Sequence, residues 1–150
     1  MKEKPKLRTY IMIKNKLALE HYLEQSDAEK GVYDMVKLRS GTNVLRIETA
    51  RWEGLEQEER TCLFCLDGVE DEKHFLLQCP RFQADRHQCF DEIKTTTNER
   101  INMYRNNEQE NLNILLANCQ SNQWDQVRPQ VLKFIHRIYS KRQRLNTLLA

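Results

Sequence analysis

The chain has 150 residues, of which 39% are apolar and 31% charged, and a formal net charge of +2. That length suits one domain burying about 70% of its unfolded surface, so disulfides are not needed to hold it together. The composition excludes a chain disordered throughout, and no stretch approaches the roughly 20 apolar residues of a membrane span.

The distribution of charge says more than the total. Residues 1–50 carry 10 Lys/Arg against 7 Asp/Glu, residues 51–100 carry 7 against 12, and residues 101–150 carry 7 against 3. Both ends are therefore basic and the middle acidic, so an anionic partner is expected at the flanks. Lys14 and Lys16 interrupt the apolar run that a signal peptide would need. The expectation is an intracellular protein, nuclear or cytoplasmic, whose five cysteines sit in a reducing compartment. Clustered cysteines there read as metal ligands rather than disulfide partners.

With four Gly, three Pro and no long alternating β-branched run, the fold class expected is mainly α, a helical domain with a small embedded zinc-knuckle-like loop or hairpin. A first helix is predicted over Leu7 to Leu23, with Tyr10, Ile13, Leu17 and Tyr22 near one face. Ser26-Asp27-Ala28-Glu29 has capping-box spacing and starts a second helix with Val32, Met35 and Val36 as its apolar stripe. Ser40-Gly41 ends it. A short helix around Asn43 to Trp52 leads into the cysteine segment. Residues 81–94 read as helix with Phe82, Phe90 and Ile93 inward, and Thr95-Thr96-Thr97-Asn98 as a break. Residues 108–118 form another short helix with Leu112, Leu115 and Leu116. The last helix runs from about Asp125 to Leu149, with Pro129 in its first turn or so. Val127, Val131, Phe134, Ile138, Leu145 and Leu149 share its buried side. The organisation expected is an N-terminal helical segment (1–55), a zinc-binding segment with its following helix (56–94) and a C-terminal helical segment (95–150), together forming one compact domain.

The strongest local signal is Cys62-Leu63-Phe64-Cys65, then His74, then Cys79. Two cysteines three apart close a tight turn with both sulfurs on one ion. His74 and Cys79, five apart, return to the same ion, and Asp67-Gly68 lets the chain reverse between the pairs. Three thiolates and one imidazole fill a zinc tetrahedron and leave no open position, so one structural zinc ion is expected and no catalytic residue. Other readings are ordinary buried cysteines, a redox Cys62–Cys65 pair lacking its usual strand-then-helix context, and His87 in place of His74. Cys89 and Cys119 read as free core thiols, and His21 and His136 as plain helix residues.

The run Leu38-Arg39-Ser40-Gly41-Thr42, then Arg46-Ile47-Glu48-Thr49-Ala50-Arg51-Trp52, then the cluster with Glu70-Asp71-Glu72-Lys73-His74-Phe75-Leu76-Leu77-Gln78-Cys79-Pro80, resembles the zinc-binding (CCHC-type) region downstream of the reverse transcriptase in non-LTR retrotransposons. The likeness is close over about residues 38–90 and only general beyond. It implies metal positions at Cys62, Cys65, His74 and Cys79, flanking positions at Phe75 and Pro80, and a role in handling RNA template or target DNA. The chain has no Tyr-x-Asp-Asp polymerase motif and no Pro-Asp…Asp…Lys endonuclease pattern. It therefore looks like a detached or host-derived piece of such an element that neither polymerises nor cuts.

Two features bear on nucleic acid. Phe64 and Phe75 flank the metal positions as stacking aromatics do in retroviral zinc knuckles, but both also suit packing over the loop, and Asp67, Glu70, Asp71 and Glu72 repel phosphate there. Lys133, Arg137, Lys141 and Arg144 recur at helical spacing and form one basic ridge, which reads either as a phosphate-binding surface or as a solvated face. Three readings follow: an accessory module binding RNA or single-stranded DNA, a zinc-stabilised module docking on a protein partner, and a relic open reading frame without a present role. No small-molecule substrate and no membrane partner is expected.

Overall fold

The structure, a computed structural model, describes residues 8–13, 20–24 and 30–149. The fold is mainly α. Its axis is α7 (Ser121–Leu149), 29 residues and hence about 43 Å long. Trp124, Val127, Val131, Phe134, Ile135 and Ile138 recur every three or four residues along it and are all buried. α3 (Lys30–Ser40) and α5 (Gln83–Thr96) pack against this stripe, and a single cluster of buried side chains runs from Tyr22 to Tyr139. α6 (Glu108–Leu115) adds Leu112, Ile114 and Leu115 to that cluster. Two short helices, α1 (Arg8–Ile13) and α2 (His21–Glu24), precede α3, and α4 (Arg46–Thr49) follows it. Among the described residues the one β interaction is an isolated antiparallel bridge, Thr61 to Val69. Among them, too, no helix is long and apolar enough to cross a membrane.

The helix ends have local causes. Gly41 takes φ 71° after Ser40, which lets the Thr42 N–H reach back to the Lys37 carbonyl at 3.1 Å and close the helix. The predicted break after α5 is a left-handed pair, Asn98 (φ 50°) and Glu99 (φ 61°). The buried Thr97 hydroxyl donates to Ile93 O at 2.7 Å and accepts from the Ile101 N–H at 3.2 Å, tying the two sides of the break together. α6 opens with a reciprocal cap in which the Glu110 N–H donates to Asn107 Oδ1 (2.8 Å) and the Asn107 N–H to the Glu110 carboxylate (3.1 Å).

Several expectations need correction. The helix over 7–23 is not continuous, because Glu20 stands outside helical structure before His21; Leu17 and the Ser26–Glu29 cap lie outside the described residues. In α3 the buried face is Met35, Leu38 and Arg39, while Val36 is exposed. α7 starts one turn earlier than Asp125, which leaves Pro129 well inside it. The ring of Pro129 is exposed, so the missing backbone bond falls on the wet side of the helix. Leu145 is half-buried and Leu149 exposed, since the apolar stripe of α7 runs out of partners near its end.

The α3–α7 contact is closest at Gly31, where an added Cβ would stand 2.3 Å from the Leu132 carbonyl oxygen. That oxygen is helix backbone and cannot move alone. Gly31→Ala should therefore lower stability despite alanine's better helix propensity: overpacking costs about 1–3 kcal/mol against a gain of about 1 kcal/mol. Urea unfolding should show a lowered midpoint, with a net loss of up to about 2 kcal/mol, and an unchanged or raised midpoint would overturn the close-contact account.

Candidate metal centre

The first ligand pair sits on a short hairpin. The Thr61–Val69 bridge and the Cys62 N–H to Gly68 O bond (3.0 Å) close its base. At the tip the Leu66 N–H turns back to Cys62 O at 3.0 Å, which brings the two cysteines to one side. The reversal requires left-handed backbone at Leu66 (φ 58°) and Gly68 (φ 76°). Glycine takes this conformation freely, but Leu66 pays a local strain of order 1 kcal/mol.

The second pair owes its alignment to an unusual turn. Residues His74–Gln78 form a π-helical turn, and the Cys79 N–H reaches the His74 carbonyl five residues back at 2.7 Å. On an α-helix residues five apart point about 140° away from each other. The wider π turn removes most of that divergence, which is how a His-x-x-x-x-Cys spacing serves one ion. Asp71 starts this turn by accepting the His74 N–H at 2.8 Å. Arg86, from α5, finishes it: Nε donates to Leu76 O (2.8 Å) and Nη2 to Cys79 O (3.0 Å), satisfying carbonyls that the ending helix leaves open.

Together these elements place one ligand atom from each of Cys62, Cys65, His74 and Cys79 within 4.8 Å of one another. Cys62 Sγ lies 3.9 Å from Cys79 Sγ, and Cys65 Sγ 3.4 Å from His74 Nε2. A tetrahedron with metal–sulfur bonds of about 2.3 Å and metal–nitrogen bonds of about 2.0 Å has edges of roughly 3.5–3.8 Å. The donor set and its spacing fit one metal ion. Cys62, His74 and Cys79 are buried and Cys65 is half-exposed, so the centre opens to solvent on the Cys65 side. Burial is the main cause that pushes the Cys62 thiol up to about 12, and it raises Cys79 as well. Without metal these thiols stay neutral, and an ion must displace their protons.

No protein-family model matches the chain, and no curated protein or solved structure does. The site is therefore read from its own chemistry. Its four side chains suffice to fill every position of a tetrahedral ion.

A buried ion pair locks this centre to the helical frame. Glu70, the residue after the hairpin, receives Arg142 of α7 in bidentate fashion, Nε to Oε2 and Nη2 to Oε1, both at 2.8 Å. The two side chains are 1% and 0% exposed. The Arg46 N–H at the start of α4 also donates to Glu70 Oε1 (2.8 Å), and Cys62 Sγ lies 3.6 Å from Oε2. Arg60 ties the hairpin base to the preceding turns through Ile47 O (2.7 Å) and Leu55 O.

Of the residues read as possible nucleic-acid contacts, the two aromatics take the packing role that the sequence also allowed. Phe75 is fully buried, edge-on to Phe82 (5.2 Å) and Tyr139 (6.4 Å), so no face of its ring is open to a base. Phe64 is half-buried against Phe82 at 5.3 Å, with Arg81 5.6 Å above its ring. The basic ridge does not stand free opposite the apolar stripe; it faces α5. Lys141 pairs with Asp85 at 2.7 Å, Arg137 with Asp85 at 3.6 Å, and Lys133 with Glu92 at 3.6 Å. Arg144 is exposed, with no partner among the described residues. His87 lies against the Tyr104 ring at 5.9 Å and is not one of the clustered ligands. Glu70 and Asp71 entered the sequence reading only as flanking carboxylates that repel phosphate, and the structural roles of Arg86 and Arg142 had no signal there.

Two outcomes follow. The chain should bind one equivalent of zinc or cobalt(II), the latter with thiolate charge-transfer absorbance that Cys62→Ser weakens. Because Cys62, Cys65 and Cys79 must each surrender a proton to ligate as thiolates, the apparent affinity should fall by up to about a thousandfold per pH unit on acidification from neutrality; an affinity flat with pH would count against thiolate ligation. Separately, Arg142→Leu strands the buried Glu70 carboxylate and should cost about 3–5 kcal/mol in urea unfolding. Adding Glu70→Gln should recover part of that loss, whereas a cost under about 1 kcal/mol would show the pair to be dispensable.

Proposed function

We propose that the chain is a retrotransposon-derived, zinc-stapled accessory module that contacts RNA or single-stranded DNA and has no catalytic activity of its own. The observation that carries this reading is the closed four-ligand centre at Cys62, Cys65, His74 and Cys79, built on the same residues that resemble the retrotransposon zinc-binding region. Zinc is the ion best suited to three thiolates and one imidazole in a tetrahedron. The ion shapes a knuckle wedged between α4 and α7, and leaves no position for chemistry.

Direct binding through the α7 ridge is a smaller part of this reading than the sequence implied. Asp85 and Glu92 lie against three of its four cations, Asp85 being shared by Arg137 and Lys141, and a phosphate arriving there would compete with those two carboxylates.

A second reading, a zinc-stabilised protein-interaction module, is favoured by one observation. Trp52 is 81% exposed, with Arg51 stacked 4.8 Å from its ring, beside an acidic stretch containing Glu53, Glu56, Glu58 and Glu59. Exposed tryptophans of this kind anchor protein interfaces.

One experiment separates the two. Zinc-loaded protein should shift the anisotropy of labelled single-stranded oligonucleotides at low salt, with affinity falling steeply as salt rises, and chelation should abolish the shift. Protein that ignores every oligonucleotide at low salt, yet holds a nuclease-resistant protein partner through Trp52, would decide for the second reading.

A further inference from the structure

Asn and Gln make up 12 of the 29 residues from 98 to 126, against 10 in the other 121. Four of the twelve have evident structural work. Asn98 takes the left-handed turn, Asn102 accepts the Tyr104 N–H (3.0 Å), Asn107 caps α6, and the buried Asn111 donates to Met103 O (2.7 Å). Of the remaining eight, seven line one groove of about 680 Å³ between the 100–106 segment, α6 and the first turns of α7. Three of the seven also make local bonds, Asn106 Nδ2 to Asn111 Oδ1 (3.1 Å), the Gln123 N–H to Asn122 Oδ1 (2.8 Å) and Gln126 Nε2 to Asn122 O (3.1 Å), but turn and cap chemistry does not explain their convergence.

The carboxamides of the groove have hydrogen-bonding capacity to spare. Asn113 Oδ1 accepts from both Gln109 (3.1 Å) and Asn118 (3.4 Å), which leaves its amide hydrogens and the Asn118 oxygen open. Gln120 and Gln123 have no side-chain partner among the described residues. Ile101 and Ile114 give the groove a small apolar floor. Arg100 stands on the rim; its Nε is bound to Thr97 O at 3.0 Å, and its two terminal nitrogens remain free among the described residues. Arg105, next to the groove residue Asn106, is exposed and also unpaired among them. The single carboxylate of the lining, Glu110, is already engaged by the Asn107 N–H.

Such a surface has a definite chemical preference. A carboxamide offers a donor and an acceptor side by side in one plane, matching the edge of an unpaired base, and Arg supplies the phosphate contact. A polypeptide would look for apolar anchor pockets, which a floor of two isoleucines does not provide. We propose that this groove binds one or two unpaired nucleotides of single-stranded RNA or DNA, with the carboxamides on base edges and Arg100 and Arg105 on the backbone. The proposal rests on the nucleic-acid reading above and gives it a location away from both the metal centre and the partly paired cations of the α7 ridge.

The test uses the full zinc-loaded chain with labelled octamers rA8, rU8, rC8 and their DNA counterparts. In amide NMR spectra the side-chain NH2 signals of Asn113, Asn118 and Gln123 should shift on titration. Gln120→Ala/Gln123→Ala should weaken binding about tenfold and alter the order of base preference, with the salt slope unchanged. Arg100→Gln/Arg105→Gln should weaken all octamers alike and flatten the slope of log affinity against log salt by about 1–2. Comparison of the RNA and DNA series tells whether the 2′-hydroxyl is read. Unshifted groove amides, with loss of binding confined to Arg144→Gln, would overturn the groove assignment and leave the nucleic-acid reading standing. Absence of any binding by the unaltered chain at low salt would remove both.

Discussion

The bidentate contact between Glu70 and Arg142 is the constraint on which the rest of this structure depends. It joins residues 72 positions apart and is the point where the hairpin, α4 and α7 meet. Burying both charges carries a desolvation penalty of several kcal/mol per ion, so the pair survives only because its polar atoms are well supplied. Glu70 takes both arms of Arg142 and the Arg46 N–H, while Arg142 Nη1 reaches Asn146 at 2.5 Å. An apolar pair of equal volume could hold the helices as firmly. It could not fix the hairpin's register, because only the carboxylate aligns the Arg46 N–H and the Cys62 thiol on one residue.

The same pair sets the electrostatics of the metal centre. Three thiolates around a divalent ion carry a net negative charge, and an uncompensated Glu70 next to Cys62 would add another. Arg142 cancels that carboxylate, and Arg86 brings a second guanidinium to the Cys79 carbonyl. Ion capture then has to overcome only the protons on the buried thiols. The helical frame and the metal loop are thus linked in both directions. The frame holds Glu70 in place and so orients Cys62; an ion bound there would in turn hold the hairpin and the π turn closed around the aromatic cluster of Phe64, Phe75 and Phe82.

How much of this was legible in the sequence depended on the range of the interaction that decided each feature. The four ligands were readable because their spacing is local: two short turns, each within six residues. The end of α3 at Gly41 and the start of α6 at Asn107 were of the same kind. Pro129 was misplaced because proline was allowed only one role, a helix start, whereas an exposed position inside a long, well-packed helix tolerates the missing backbone bond. The partner of Arg142 could not be read at all, since nothing in residues 138–146 refers to Glu70. Only the folded chain brings the two together.

The basic ridge shows the same limit in its sharpest form. Lys133, Arg137 and Lys141 do lie along one side of α7, as their spacing implied. A helix face is solvated or paired according to what packs beside it, and α5 presents Asp85 and Glu92 to this one. Charge counted along a sequence therefore overstates the field that a ligand meets, because opposite charges from distant segments cancel it at contact distance. Carboxamides behave differently. A hydrogen bond between two of them uses one donor and one acceptor and leaves others open, so a cluster of Asn and Gln keeps recognition capacity after the chain has folded. Where cations are paired internally, as Lys133, Arg137 and Lys141 are, neutral amides that converge, as they do over residues 106–126, keep more of their capacity for a polar ligand.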